Sequence, residues 1–112
     1  MGSIVDFEKL TANSEFSKAY KQGKRWHTQS VVIFYKEDLE KKIGFTASKK
    51  VGNAVKRNFA KRRMRSLFFE FKQNLQDGIY VIVAKDQICT MPYESIKKEF
   101  IWAFKRLGVY LL

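Results

Sequence analysis

The sequence is poor in the residues that build disulfides, metal centres and membrane segments. Its 112 residues include one cysteine (Cys89), one histidine (His27) and one proline (Pro92). A lone cysteine excludes an internal disulfide and a cysteine-based zinc site, and its position beside an apolar run predicts a buried thiol. No apolar run approaches the ~20 residues that a membrane-spanning helix needs, and no signal-peptide pattern is present. We therefore expect a cytoplasmic protein without a membrane partner.

Catalytic patterns are equally scarce. His27 has no recognisable nucleophile or acid partner, and no pair of carboxylates or metal-ligand spacing stands out. We therefore expect no catalytic residue, no metal ligand and no cofactor held by the protein itself.

Positive charge, in contrast, is abundant and concentrated. The formal net charge is +11, from 22 Lys/Arg and 11 Asp/Glu. Residues 47–65, the basic segment, contain eight Lys/Arg and no acidic residue, whereas residues 1–46 and 66–112 carry net charges of only +2 and +1. Such a local excess predicts a localised polyanionic partner, either a nucleic acid or an acidic membrane surface.

The chain has enough apolar material for one folded domain over residues 1–112. Apolar residues make up 46% and aromatic residues 15%, which excludes a disordered tail. Periodicity and turn residues predict these elements in order: a helix over 13–22 capped by Asn13, strands over 30–36 and 43–48 around a charged loop over 37–42, a helix over 53–75, a strand over 79–84, and a helix beginning near Pro92. This order predicts an α+β fold in which helices pack on a sheet.

The strands and the last helix show which faces are apolar. In the first strand Val31, Ile33 and Tyr35 form an apolar face, and the opposite face is mixed. The last helix carries an apolar stripe formed by Ile96, Phe100, Ala103, Phe104 and Leu107. The mixed strand face is therefore expected to be partly open to solvent.

The helix over 53–75 combines a core stripe with a row of cations. With 100° per residue, one arc of about 80° holds the apolar positions Ala60, Met64, Leu67, Phe71 and Leu75. The polar positions beside this stripe are Arg57, Asn58, Lys61, Arg62 and Arg65. Like charges at i, i+4 repel, so the pattern favours bound phosphates over a merely solvated face.

The segment that leads into this helix has its own pattern. Gly52 permits an unusual backbone angle, and Asn53 is a candidate N-cap. The GxxxxGK spacing of a Walker loop is absent. Exposed amides at the helix start would still attract phosphate.

These residues resemble the signature of the bacterial ribonuclease P protein family. The family pattern is roughly S-K-K-x-G-x-A-V-x-R-N-R-x-K-R-x-x-R, and residues 48–65 read SKKVGNAVKRNFAKRRMR. The resemblance extends over residues 10–107, with Phe16, Tyr20 and Gly23 similar to the family's first helix and turn. One departure is clear: Phe59 stands where the pattern has a second arginine, and Arg63, one turn later, is a candidate replacement.

The resemblance implies a fold and a function. The fold is an α/β sandwich of order αβββαβα with a left-handed βαβ crossover, a ribosomal protein S5 domain 2-like fold. The function is that of the protein subunit of ribonuclease P, the endonuclease that removes the 5′ leader of precursor tRNA, in which RNA performs the Mg²⁺-dependent hydrolysis. The residues expected to bind the catalytic RNA are Lys56, Arg57, Asn58, Lys61, Arg62 and Arg65.

The resemblance also implies a cleft between the first helix and the sheet for the single-stranded leader of precursor tRNA. The residues expected to line it are Phe16, Tyr20, Val32, Phe34, Lys36, Thr46, Ser48, Lys49 and Lys50. Aromatic side chains stack on unpaired bases, while cations and hydroxyls bind the backbone. Ordinary core positions are the alternative for Phe16 and Phe34.

Two other functions stay open at this point. A ribosomal or other structural-RNA-binding protein would share the basic helix, because such folds are reused. A DNA-binding protein is less well supported, since no helix-turn-helix or zinc-finger pattern appears, and we expect no DNA partner.

Overall fold

In the computed structural model, which describes residues 6–111, a five-stranded sheet carries helices on both faces. The elements in chain order are β1 (Glu8–Lys9), α1 (Asn13–Gln22), β2 (Lys24–His27), β3 (Val31–Lys36), β4 (Lys41–Thr46), α2 (Ala54–Phe71), β5 (Gly78–Ala84) and α3 (Tyr93–Leu107). The strand order is β1-β4-β5-β3-β2. Parallel pairing joins β1 to β4 and β4 to β5, while β3 is antiparallel to both β5 and β2.

The predicted α+β class and the order αβββαβα are confirmed. A two-residue strand, β1, precedes that order and has no signal in the sequence. Helix α2 connects the parallel neighbours β4 and β5, which makes a βαβ unit. The left-handed sense of this crossover stays a prediction from the family resemblance.

Strand β4 lies two residues earlier than the predicted strand over 43–48. The charge of Lys41 and Lys42 favours a loop in the sequence, and that prediction is wrong because both residues pair with β5. Their ammonium groups are matched by acids, with Lys41 3.8 Å from Asp77 and Lys42 2.6 Å from Glu15. Both lysines are therefore accommodated in the strand with an acidic group near each ammonium.

Two helix ends also differ from the prediction. Asn13 is the first residue of α1 rather than its cap, and Ala12 occupies the N-cap position with no side-chain hydrogen bond. Helix α2 ends at Phe71, and a single 3-10 turn follows. Leu75 then forms an isolated β-bridge instead of a further helical turn.

The larger core lies between the sheet and the pair α2 and α3. The predicted stripes of both helices and the face of β3 with Val31, Ile33 and Tyr35 are buried there, as predicted. Phe68, which the predicted stripe omits, is fully buried and packs edge-to-face on Tyr80 with ring centroids 5.7 Å apart. None of the described helices has the length and apolar character to span a bilayer.

Helix α1 covers the opposite face of the sheet and makes a smaller core. Gly44 lets it approach closely, because a Cβ at this position would lie 2.6 Å from Cε1 of Phe16. The preceding residue of α1, Glu15, forms the 2.6 Å ion pair with Lys42, and this carboxylate raises the pKa of the Lys42 ammonium. Helix α1 is therefore fixed over β4, and its aromatic side chains have defined positions on the sheet.

Candidate nucleic-acid interface

The turn between β4 and α2 sets the start of the basic helix. The backbone reverses at Ser48, whose carbonyl accepts from the Val51 N–H at 3.0 Å. Gly52 has a φ of 143°, a region that favours glycine. Asn53 is the N-cap, and its Oδ1 accepts from the Lys56 N–H at 3.0 Å. The predicted roles of Gly52 and Asn53 are confirmed.

The cations of the basic segment have no acidic partner in the described part of the chain. Ion pairs elsewhere in residues 6–111 engage Lys36, Lys41, Lys42, Lys72 and Lys97. None of the eight Lys/Arg of residues 47–65 takes part in such a pair. Their charge is therefore available to an external anion.

The residues predicted to bind the catalytic RNA all lie on α2, and each is at least partly accessible. Lys56, Asn58, Arg62 and Arg65 are exposed, and Arg57 and Lys61 are half-buried. The Arg57 side chain is held in part by the backbone, because its Nη1 donates to the Gly52 carbonyl at 3.3 Å. The guanidinium of Arg65 lies 5.8 Å from the ring centroid of Phe45.

Arg63, the candidate replacement for the missing arginine of the family pattern, makes contacts within the protein. Its Nη1 donates to the carbonyls of Ile88 and Met91, which lie on the segment that follows β5. Its guanidinium also covers the Phe59 ring, 4.7 Å from the centroid. In the free protein this side chain therefore fixes the segment against α2, and its role as an RNA-binding cation stays a prediction.

Phe59 forms part of a cavity rather than of the core. It is half-buried and belongs to neither hydrophobic cluster. The cavity, called the Phe59 cavity below, has a volume of about 600 Å³ and lies between α2 and residues 86–90. Cys89 lines it and is half-exposed, so the prediction of a buried thiol is wrong.

On the other side of the sheet, three aromatic rings form a row, which we call the aromatic groove together with the adjoining strand positions. Tyr20 is 39% exposed, and its ring centroid lies 4.8 Å from that of Phe34 and 6.5 Å from that of Phe16. Phe16 and Phe34 are half-buried and pack against the smaller core. Each therefore contributes to the core and keeps part of its ring accessible.

The strand positions beside these rings differ in accessibility. Val32 and Thr46 both pair with Val83, which places the three side chains in one row on the α1 face. Val32 is only 8% exposed, whereas Thr46 and Val83 are half-buried. The row therefore offers more surface at its β4 end, next to the turn with Ser48, Lys49 and Lys50, which are all exposed.

Lys36 is the predicted residue that lies apart from the others. It is four residues along β3 from Val32, a distance of roughly 13 Å. Its ammonium lies 3.4 Å from Asp38. The structure thus brings most of the predicted leader-binding residues together and places Lys36 at the far end of the same face.

Arg25 and His27 belong to this face but were not predicted to. They pair with Phe34 and Val32, so their side chains project on the α1 side of the edge strand, and both are exposed. Residues 24–27 show no alternation of apolar and polar side chains, and only the pairing of β2 with β3 reveals their position.

A second cavity joins the aromatic groove to the basic helix. This edge cavity, of about 410 Å³, is lined by Phe16 from α1 and by Lys61 and Arg65 from α2, among others. It lies beside β4, of which β1 pairs with two residues within the described part of the chain. The two predicted binding surfaces therefore adjoin. Within residues 6–111 no three His, Cys, Asp or Glu side chains cluster as a metal site would require.

Comparison with known proteins agrees with this arrangement. A model of the family described as Ribonuclease P matches residues 5–108. The ribonuclease P protein component of Nitratiruptor sp. is 40% identical over 98 residues, covering 88% of this chain and 90% of that protein. The protein of the same name from Bacillus mycoides is 38% identical over 106 residues, covering 90% and 91%.

Solved structures show the same fold. The ribonuclease P protein of Staphylococcus aureus superposes with a TM-score of 0.83 at 24% identity, covering 94% of this chain and 99% of that one. The protein of Thermotoga maritima superposes with a TM-score of 0.77 at 21% identity, covering 88% and 96%. On the strength of the family match and the two sequence relatives, the chain belongs to the family of ribonuclease P protein components, the protein subunits of the holoenzyme that removes tRNA 5′ leaders.

Proposed function

We propose that α2 and the turn before it bind the catalytic RNA of ribonuclease P, and that the aromatic groove binds the single-stranded 5′ leader of precursor tRNA. The observation that carries the proposal is the set of cations on residues 47–65 that have no acidic partner within residues 6–111, a set that meets the aromatic groove at the edge cavity. Under this proposal the two RNA molecules lie on opposite faces of the sheet and adjoin at the edge cavity beside β4.

The argument for RNA docking is electrostatic. Arg62 and Arg65, three residues apart on α2, present forked guanidinium donors to solvent, and such donors bind phosphate bidentately. Asn58 lies among them and donates hydrogen bonds to a phosphate or a ribose hydroxyl. Bound phosphates would relieve the repulsion between cations spaced four residues apart on this helix.

The argument for leader binding is the combination of rings and polar groups on the α1 face. Bases of an unpaired strand are free to stack on Phe16, Tyr20 and Phe34, whereas paired bases are not. Arg25 at one border of the face and the lysines of the 48–50 turn at the other supply cations for the backbone. This surface suits a single strand of mixed sequence.

In this proposal the protein performs no bond cleavage. Mg²⁺ held by the catalytic RNA would supply the activation of water and the stabilisation of the leaving oxygen. The protein contributes binding: its cations reduce the repulsion between two polyanions, and its groove positions the strand beside the scissile bond.

The test uses precursor tRNAs whose leaders differ in length. The protein is assembled with a bacterial ribonuclease P RNA, and affinity is measured for tRNA with leaders of increasing length. We expect affinity to rise with leader length until the groove is filled, and the RNA alone to show no such rise. Equal affinity for all lengths in the holoenzyme would contradict leader binding, and failure to assemble with the RNA would favour a different structural-RNA partner.

A further inference from the structure

The Phe59 cavity lies on the RNA-docking side of the protein but has no role in the function described so far. It is formed where α2 meets the segment after β5, and its lining combines an aromatic ring with cations and polar side chains. We propose that it binds an unpaired nucleotide of the RNA on which α2 docks, with the base beside the ring. This inference rests on the proposed function and adds a specific base-binding site to it.

The ring of Phe59 is placed to stack. One side is covered by the Arg63 guanidinium at 4.7 Å from the centroid, and the remaining surface faces the cavity. A half-buried ring outside both hydrophobic cores leaves apolar surface in contact with water. A nucleobase would cover that surface, and stacking on an aromatic ring tolerates any base.

The charges around the ring fit a nucleotide rather than a neutral ligand. Three cations line the cavity, namely Lys50, Lys56 and Arg62, and none has an acidic partner among the described residues. Asp86 is the only acid among the described residues that line the cavity. The excess of positive charge is complementary to the phosphates on either side of an extruded base.

The wall opposite α2 is held in place before any ligand binds. Arg63 donates to the carbonyls of Ile88 and Met91, and Ile88 is fully buried. Gln87 lies in the same turn, is exposed and lines the cavity, and its carbonyl accepts from the Met91 N–H at 3.0 Å. A rigid wall with an amide at its rim suits hydrogen bonding to a base edge.

The cavity has the dimensions of a small-molecule site. Its volume of about 600 Å³ lies within the ~300–1,000 Å³ typical of such sites. Phe59 also replaces the second arginine of the Arg-Asn-Arg pattern. The chain therefore has a ring in place of one phosphate-binding cation. Under the proposal, the contact between this ring and a base replaces the lost contact with a phosphate.

The first experiment uses the free protein and two small probes. Adenosine 5′-monophosphate and ribose 5-phosphate are titrated into ¹⁵N-labelled protein, and the amides of residues 86–90 are followed by NMR. We expect adenosine 5′-monophosphate to shift these amides and to bind at least about 5-fold more tightly than ribose 5-phosphate, because only the former stacks. Equal affinities, or shifts confined to the aromatic groove, would overturn the proposal.

The second experiment uses the complex with ribonuclease P RNA. Phe59→Leu should weaken RNA binding by about 5- to 150-fold and leave its salt dependence unchanged, since a stacking contact and no phosphate contact is lost. Phe59→Tyr, which keeps the ring, should bind as the wild type does. Equal binding by Phe59→Leu and wild type would overturn the nucleotide site and leave the proposed function standing, whereas wild-type protein that fails to bind the RNA would contradict the proposed function itself.

A readout at the cavity completes the test. Cys89 is the only cysteine, so its alkylation by iodoacetamide reports access to this cavity. Saturating RNA should slow alkylation in the wild type and in Phe59→Tyr. An unchanged alkylation rate in the bound state would show that the cavity stays open and would overturn the proposal. If circular dichroism shows that Phe59→Leu is unfolded, the relative affinities of the wild type for adenosine 5′-monophosphate and ribose 5-phosphate still test the proposed nucleotide site.

Discussion

Helices α2 and α3 pack on the same face of the sheet, but their acidic and basic residues are placed differently with respect to the helix ends. Helix α3 has Glu94 in its first turn, Lys105 and Arg106 in its last turn, and ends at Gly108 with a φ of 77°. The charges complement the helix dipole, and Gly108 caps the C-terminal end of the helix. Helix α2 has no acid in its first turn and no basic residue in its last.

The two helices also differ in how their charges are used. The α3 residue Lys97 pairs with Glu70 at 2.9 Å, and Glu99 accepts hydrogen bonds from the Ser30 backbone N–H and hydroxyl at 3.0 and 2.6 Å. Charges of α3 thus stabilise the fold, whereas the cations of residues 47–65 have no such partner among the described residues. In the free protein the cations of α2 therefore repel one another without compensation from these acids, and the phosphates of a bound RNA would offset that repulsion.

The largest expected effect that follows from this contrast is on salt dependence. With about six phosphate contacts, log affinity for the catalytic RNA should fall with log salt at a slope of about −4 to −5, a loss of roughly 250- to 1,000-fold between 50 and 200 mM. Fluorescence anisotropy of labelled RNA over a KCl series measures the slope. A slope near zero would remove the electrostatic argument for α2.

Charge reversal on the two helices tests the same contrast directly. Arg57→Glu combined with Arg62→Glu should weaken RNA binding by at least about 100-fold, because two charge-assisted contacts are lost. Lys98→Glu combined with Lys105→Glu makes the same change in net charge on α3 and should have a small effect. Thermal melts of both variants serve as the folding control, because Arg57 also donates to the Gly52 carbonyl. Similar losses for both pairs would mean that net charge alone drives binding.

Substitution of one aromatic residue on α1 and one on α3 tests leader binding. Phe16→Ala should weaken binding of precursor tRNA to the holoenzyme by about 5- to 150-fold and spare mature tRNA and assembly with the RNA. Trp102→Ala removes a ring that is 52% exposed on α3 and should leave all three unchanged. Circular dichroism melts accompany both, because Phe16 also packs over Gly44. Equal loss of precursor and mature tRNA by a folded Phe16→Ala protein would refute leader binding.

Much of this arrangement is readable from the sequence, and the exceptions have physical causes. Apolar periodicity identifies the buried stripes of α2 and α3 because it depends only on local geometry. Strand β2 escapes detection because an edge strand with exposed Arg25 and His27 has no alternation, and its pairing with β3 decides its place. The roles of Arg63 and Cys89 depend on where residues 86–91 pack against α2, a long-range contact that no local pattern encodes.

The smallest expected effect concerns the second residue of each helix, which is Val55 in α2 and Glu94 in α3. Val55 is 75% exposed, so Val55→Glu gives α2 the acid that α3 already has without disturbing the core. Relative to Val55→Gln, which matches the side-chain shape without the charge, it should raise the free energy of unfolding by about 0.3–1 kcal/mol through the helix dipole. Thermal melts at low ionic strength measure this difference, and added salt should shrink it.

The same substitution should weaken RNA binding relative to Val55→Gln, because it places a negative charge among Lys56, Arg57 and the incoming phosphates. A Val55→Glu protein that is more stable and binds RNA less tightly would show that the N-terminus of α2 is charged for its partner rather than for its own stability. Destabilisation by Val55→Glu relative to Val55→Gln would refute that explanation of the contrast between the two helices.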